Sequence, residues 1–258
     1  MSRCLRGILL NGEQKQQLGN NALKSLNIVV ENLFEYARSK GYGYRRFLEL
    51  IISCKHHTLS SYFSLLCSNG EFTRLLQELV DVLAKASDTL SLMDREAREL
   101  GFKGYKPFLV DCLGLAEAYE IYRIVSNICG NISVIVKAYV NSRALTEEFT
   151  LKYHVASMSE LARVIGASLY QKSADSYIHE ELGKLQKLDN ILSRAEAGLA
   201  PVIKSIASDA INFRKAFIFS DHGYDTFCTP QGECYLEHGP QSILAKIAPL
   251  IIISCAKP

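Results

Sequence analysis

Seven residues carry side chains suited to holding divalent cations beside an attacking oxygen: Asp111, Thr146, Asp175, His179, Asp221, His222 and His238. Asp221 and His222 end the apolar run Phe217-Ile218-Phe219-Ser220 and precede Gly223, the pattern of a buried strand that delivers ligands from its C-terminal end. Two cations about 3.5–4 Å apart can activate an oxygen nucleophile, hold a phosphoryl oxygen and stabilise a leaving group. The residues divide naturally into Asp175, His179 and His238 for one ion and Asp111, Asp221 and His222 for the other, with Thr146 adding its oxygen to the second. Carboxylate and imidazole ligation without thiolate favours zinc, with manganese or iron next and magnesium last.

Each residue also has a plainer reading. Asp175 and His179 have the i,i+4 spacing of an exposed helical ion pair. Thr146, before Glu147-Glu148, fits an N-cap; Asp111 fits a cap to the helix that follows; His238 fits a turn; Asp225 competes with Asp221 as a ligand. His154 matches no such pattern and reads as structural.

The elements that must position these groups fall in two stretches. Residues 1–104 read as helical: Leu18, Leu23, Leu26, Val30, Leu33 and Ala37 form one stripe stopped by Gly41, and a long helix is expected over 72–100. Shorter helices are expected at 44–53 and 59–67, and Arg45, Arg46, Lys55 and the pair His56-His57 read as a solvated edge. Gly101, Gly104 and Pro107 mark a boundary. Beyond it, strand-like runs at 108–110, 132–140, 167–170, 216–220 and 248–253 alternate with helices at 116–129, 157–166 and 178–197, and Pro201 starts another. Ser157 to Glu160 matches a capping box. This alternation predicts an α/β fold with a mostly parallel sheet flanked by helices, whose ligands gather at the C-terminal strand ends.

The chain is long enough, at 258 residues, for one large domain or a core plus a smaller module. Its 48% hydrophobic and 22% charged content argues against disorder, and the formal net charge of +2 gives no basic tail for nucleic-acid binding, while leaving nucleic acid open. Residues 1–10 show no signal-peptide pattern and Ile251-Ile252-Ile253 is too short to span a bilayer, so a soluble cytoplasmic protein without membrane contact is expected. The eight cysteines contain no Cys-x-x-Cys pair and read mostly as small buried hydrophobes. Cys228 and Cys234 flank a turn at 230–232 that can set their sulfurs across a hairpin, although intracellular disulfides are unusual.

The order Asp, Ser/Thr, Asp-x-x-x-His, Asp-His, His resembles that of the alkaline phosphatase superfamily of phosphatases, nucleotide pyrophosphatases/phosphodiesterases, sulfatases and phosphoglycerate mutases. Leu109-Val110-Asp111-Cys112-Leu113-Gly114, Leu145-Thr146-Glu147-Glu148-Phe149 and the run from His238-Gly239-Pro240 to Ile251 look most like its PglZ-domain branch. The likeness covers about 105–258. It implies a compact alkaline-phosphatase-like core behind an N-terminal helical module, and a two-metal phosphoesterase in which Thr146 attacks phosphorus. Phosphodiesters or nucleotides are the implied substrates. Two departures stand out: Cys112 occupies the place where the family often has glycine, and no proline precedes the attacking residue, which keeps Ser142 as a competitor to Thr146. A different reading makes the chain a metal-stabilised adaptor that binds a protein partner through 1–104.

Overall fold

The computed structural model describes residues 12–53, 70–128, 132–229 and 231–255. The expected helix at 59–67, Lys55, the pair His56-His57 and residues 1–10 lie outside them. Helices α1 (Gly12–Ser39), α2 (Tyr44–Ser53), α3 (Gly70–Lys85) and α4 (Leu90–Phe102) precede strand β1 (Lys106–Val110). There follow α5 (Leu115–Ile128), β2 (Ile132–Val140), α6 (Thr146–Lys152), α7 (Met158–Ile165), β3 (Ser168–Tyr170) and α8 (Gln171–Tyr177). A π-helical turn (Ile178–Leu182), β4 (Gln186–Lys187), α9 (Leu188–Asn212), β5 (Lys215–Ser220), β6 (Asp225–Cys228), β7 (Glu233–Glu237) and β8 (Ile247–Cys255) complete the chain.

The main sheet has the order β2-β8-β5-β1-β3. It is mixed where the sequence suggested mostly parallel: β1 runs parallel to β3 and β5, while β8 lies antiparallel between β5 and β2. Strands β1, β2, β3 and β5 therefore all end at one edge, and β8 begins there. Side chains alternate across the sheet with period two. Phe108, Val110, Ala216, Ile218, Ile251 and Ile253 join a core with α1, α2, α3, α5 and α9. Leu109, Phe217, Phe219, Leu250 and Ile252 face α4, α6 and α7 on the other side. The helices of the first hundred residues thus pack directly on the sheet.

Strand β2 lies at the margin of the sheet, and helices cover its outer side. The Ala138 N–H donates to Asn27 Oδ1 of α1 at 2.6 Å, and the Val140 N–H donates to Thr89 Oγ1 at 2.8 Å. An edge whose backbone donors are used in this way offers little to a foreign strand.

Three helical expectations change. The helix expected over 72–100 is two, because Asp88 Oδ1 accepts the Leu90 N–H at 3.1 Å and the Thr89 N–H bonds Val140 O at 2.9 Å, spending that turn on a cap and on the sheet edge. The helix expected over 178–197 is interrupted at Gly183, and Gln186 and Lys187 pair with β7 before α9 starts at Leu188. Pro201 lies inside α9, where the buried stripe Ile191, Ala195, Leu199, Ile203, Ile206 and Ala210 continues past it and outweighs the local break. By contrast Ser157 caps α7 as expected, its Oγ accepting the Glu160 N–H at 3.2 Å.

The β6–β7 pair is the expected hairpin, with Cys228 opposite Cys234 and a disulfide joining them. No helix among the described residues is long and apolar enough to cross a membrane.

Candidate metal centre

Register places the first two acids together. Val110 pairs with Ser220, so Asp111 and Asp221 leave adjacent parallel strands side by side. The two loops are in close contact: a Cβ on Gly114 would meet the Tyr224 ring at 2.4 Å, and one on Gly223 would meet the Gly114 Cα at 3.1 Å. Only glycine fits this approach. One ligand atom each from Asp111, Asp221 and His222 lies within 4.8 Å of the others, and all three residues are buried.

Backbone and neighbours fix this trio. Asp221 Oδ1 accepts from the Cys112 N–H at 3.5 Å and Ser220 Oγ at 3.3 Å. His222 Nδ1 lies 2.8 Å from the Gly223 carbonyl, which can only accept, so Nδ1 carries a proton and Nε2 is the ring nitrogen turned toward Asp221 and Thr146. Thr146 Oγ1 donates to Asp221 Oδ2 at 2.7 Å and lies 3.2 Å from His222 Nε2. That nitrogen is also 3.3 Å from Asp221 Oδ2. The buried Asp221 carboxylate and His222 Nε2 thus stand beside the Thr146 hydroxyl, a set of donors that a cation could bridge.

The second group is more open. Asp175 lies near the end of α8, and the π-helical turn carries His179 round to face it, with Nε2 3.2 Å from Asp175 Oδ1. Such turns recur at functional positions. His238, just after β7, points its Nε2 at His179 Nε2 at 2.9 Å, and its Nδ1 lies 3.3 Å from the Ala144 carbonyl. Asp175 and His238 also gather with the Cys112 sulfur within 4.8 Å. Burial first, then the His222 and His179 imidazoles, hold the His238 pKa below the usual histidine range, so the ring is neutral and ready to ligate at neutral pH. The His238 ring stands 4.3 Å from that of His222, which makes the two groups neighbours. No arginine or lysine pairs with Asp175 or Asp221 among the described residues; the imidazoles of His179, His222 and His238 lie beside them.

The residues singled out from sequence lie near one another: Asp111, Asp221 and His222 form one candidate cluster, and Asp175 and His238 form a second with Cys112 in it, His179 standing beside them. Asp225 is turned elsewhere: its Oδ1 accepts the Thr226 N–H at 2.8 Å and its Oδ2 the Leu244 N–H at 3.1 Å. Ser142 is exposed, with its N–H 3.4 Å from Asp88 Oδ2. His154 lies just past the end of α6, with a positive φ of 56°. Arg45 and Arg46 form exposed pairs with Glu196 and Glu49.

Two residues escaped the sequence reading. Asn141 is buried, and its Nδ2 donates to the Leu145 and Asp221 carbonyls, both at 3.0 Å, tying the Thr146 loop to the Asp221 strand end. Its only signal was its place directly after β2. Cys112, read as a buried hydrophobe, has a φ of 60°, the backbone region that explains a glycine preference there. Burial first, then the carboxylates of Asp221, Asp175 and Asp111, pushes its thiol pKa up. Searches of protein-family models and of curated proteins return no match to this chain.

Proposed function

We propose that the chain is a metal-dependent phosphoester hydrolase, acting on phosphodiesters or nucleotides through Thr146. The observation that carries this reading is the placement of Thr146 Oγ1 against both Asp221 Oδ2 and His222 Nε2, at 2.7 and 3.2 Å. A hydroxyl held by two ligands of a candidate metal trio is positioned as a nucleophile. The motif order shared with the alkaline phosphatase superfamily and its PglZ-domain branch supports the same reading.

Asp111, Asp221 and His222 would hold one divalent ion, and Asp175, His179 and His238 the other. The donor set fits: carboxylate oxygens of Asp111, Asp221 and Asp175 beside the imidazoles of His222 and His238, gathered in two clusters. Zinc suits such donors best, manganese next. Bound there, the ions would lower the pKa of the attacking oxygen and neutralise charge on the phosphoryl group.

The chain's own groups do the rest. The Thr146 hydroxyl lies against Asp221 Oδ2 and His222 Nε2, and its proton would leave to solvent as Oγ1 bonds to phosphorus and the leaving oxygen departs. Water then cleaves the phosphothreonine and restores the hydroxyl. Asn141 keeps the Thr146 loop in register with Asp221. The more exposed flank at His179 and Asp175 gives the substrate its approach.

The test is turnover of a chromogenic phosphodiester and a monoester by protein loaded with zinc or manganese. Turnover that disappears in Thr146→Ala is expected. If the loaded wild type cleaves neither ester, or Thr146→Ala matches it, the hydrolase reading is wrong.

A further inference from the structure

We propose that Cys112 supplies a thiolate to the cation held by Asp175, His179 and His238, making that site a mixed sulfur, nitrogen and oxygen site of zinc type while the Asp111, Asp221 and His222 site stays free of sulfur. The inference rests on the reading that cations occupy this pocket, and it adds a ligand that the Asp-and-His motif order lacks.

Two independent observations meet at Cys112. The first is convergence: its sulfur, an Asp175 oxygen and a His238 nitrogen lie within 4.8 Å of one another. His179 Nε2 closes the group, 3.2 Å from Asp175 Oδ1 and 2.9 Å from His238 Nε2. Donors around one tetrahedral ion, with bonds of about 2.0–2.3 Å, stand roughly 3–4 Å apart. The Cys112, Asp175 and His238 donors are gathered near that scale before any ion binds, with His179 beside the latter two.

The second observation is backbone strain. Cys112 has a φ of 60°, a backbone region that glycine adopts freely and an L residue rarely does. A side chain kept at such a position, fully buried and with its sulfur beside two candidate ligands, calls for a use. Its sulfur donates to the Gly223 carbonyl at 3.6 Å, and a thiol is only a weak donor. As a cation binds, the sulfur–metal bond forms and the thiol proton leaves to solvent, with no redox change.

Sulfur changes what the two sites select. A soft thiolate favours zinc, cobalt and cadmium over magnesium and manganese, whereas the all-oxygen-and-nitrogen trio admits harder ions. The pocket is therefore a pair of unequal sites.

Cobalt(II) reports this directly, because thiolate ligation adds an intense sulfur-to-cobalt charge-transfer band in the near ultraviolet. Metal-free wild type titrated with cobalt should develop the band. Cys112→Ser and Cys112→Gly should bind cobalt without it, and should bind zinc at one site roughly tenfold or more weakly, the least that loss of even an outer partner costs. Cys112→Gly relieves the positive φ and so guards against a folding artefact. Cobalt bound to wild type with no charge-transfer band, or a band that persists in Cys112→Gly, would overturn the thiolate ligand while leaving the hydrolase reading intact. Wild type that binds no cobalt would overturn both.

Discussion

Thr146 opens α6 four residues after Ser142, yet the two face different surroundings. Thr146 Oγ1 touches Asp221 and His222, whereas Ser142 is exposed and bonds through its backbone toward Asp88. Nor is Thr146 serving as a cap: the N-cap of α6 is Leu145, with no side-chain bond. Thr146→Ala is expected to lower ester turnover by about a thousandfold or more, since removal of a nucleophile usually costs at least that. It should leave metal content close to that of wild type, because the carboxylates and imidazoles remain. Ser142→Ala should retain most of the turnover. Steady-state rates and metal analysis on both variants decide the assignment, which moves to Ser142 if Ser142→Ala is inactive and Thr146→Ala is not. At this scale the ligands were legible because Asp and His in ordered spacing carry their chemistry in their side-chain type. Asn141 and Cys112 were not, because an amide acts here only by bridging two distant carbonyls and a thiol only by where a left-handed backbone turns it.

Elements carry the ligands, and two of them invite measurement. The β6–β7 hairpin runs from the strand end that bears His222 to His238, and its disulfide closes a short loop. Replacing both Cys228 and Cys234 by Ser should lower stability by about 2 kcal/mol in denaturant unfolding, as loop-closure entropy of this size implies. It should also weaken cation binding at the His238 side more than at the Asp111 side. Equal binding at both sites would show that the hairpin needs no clamp. The start of α5 offers a pH signature. Glu117 is buried, and Tyr44 and Tyr224 both donate to its Oε1 at 2.6 Å. Burial, partly offset by those hydroxyls, raises its pKa above 4.5. The folded chain therefore holds the proton more tightly than the unfolded one. Its stabilising contribution is full below pH 4.5 and is lost as pH rises through the raised value. Glu117→Gln, which keeps the neutral shape, should flatten that slope in urea midpoints measured from acid to neutral pH; an unchanged slope would assign it to other groups. Strands were legible as elements because their apolar runs are short and bounded. The direction of β8 was not, since an apolar run reads the same in a parallel or an antiparallel pair. The interruptions at 86–89 and 183–187 were hidden for a related reason: each is stabilised by partners far along the chain, Val140 in one case and β7 in the other.

At the scale of the whole molecule, helices on both faces bury the sheet, and β1, β2, β3 and β5 all end at the edge where the ligands collect. That common edge is what lets residues from 111 to 238 share one pocket. The first hundred residues contribute to it indirectly, with α1 and the Thr89 turn holding β2, whose end leads into Asn141 and the Thr146 loop. Two candidate clusters in one pocket amount to a claim about stoichiometry. Elemental analysis of dialysed protein after loading with zinc tests it most directly. Wild type is expected to hold close to two ions per chain, one for each cluster, and His222→Ala distinctly fewer, with a matching loss of the thermal stabilisation that bound metal confers. Wild type that retains no metal, or His222→Ala with the metal content of wild type, would contradict the two-cation pocket.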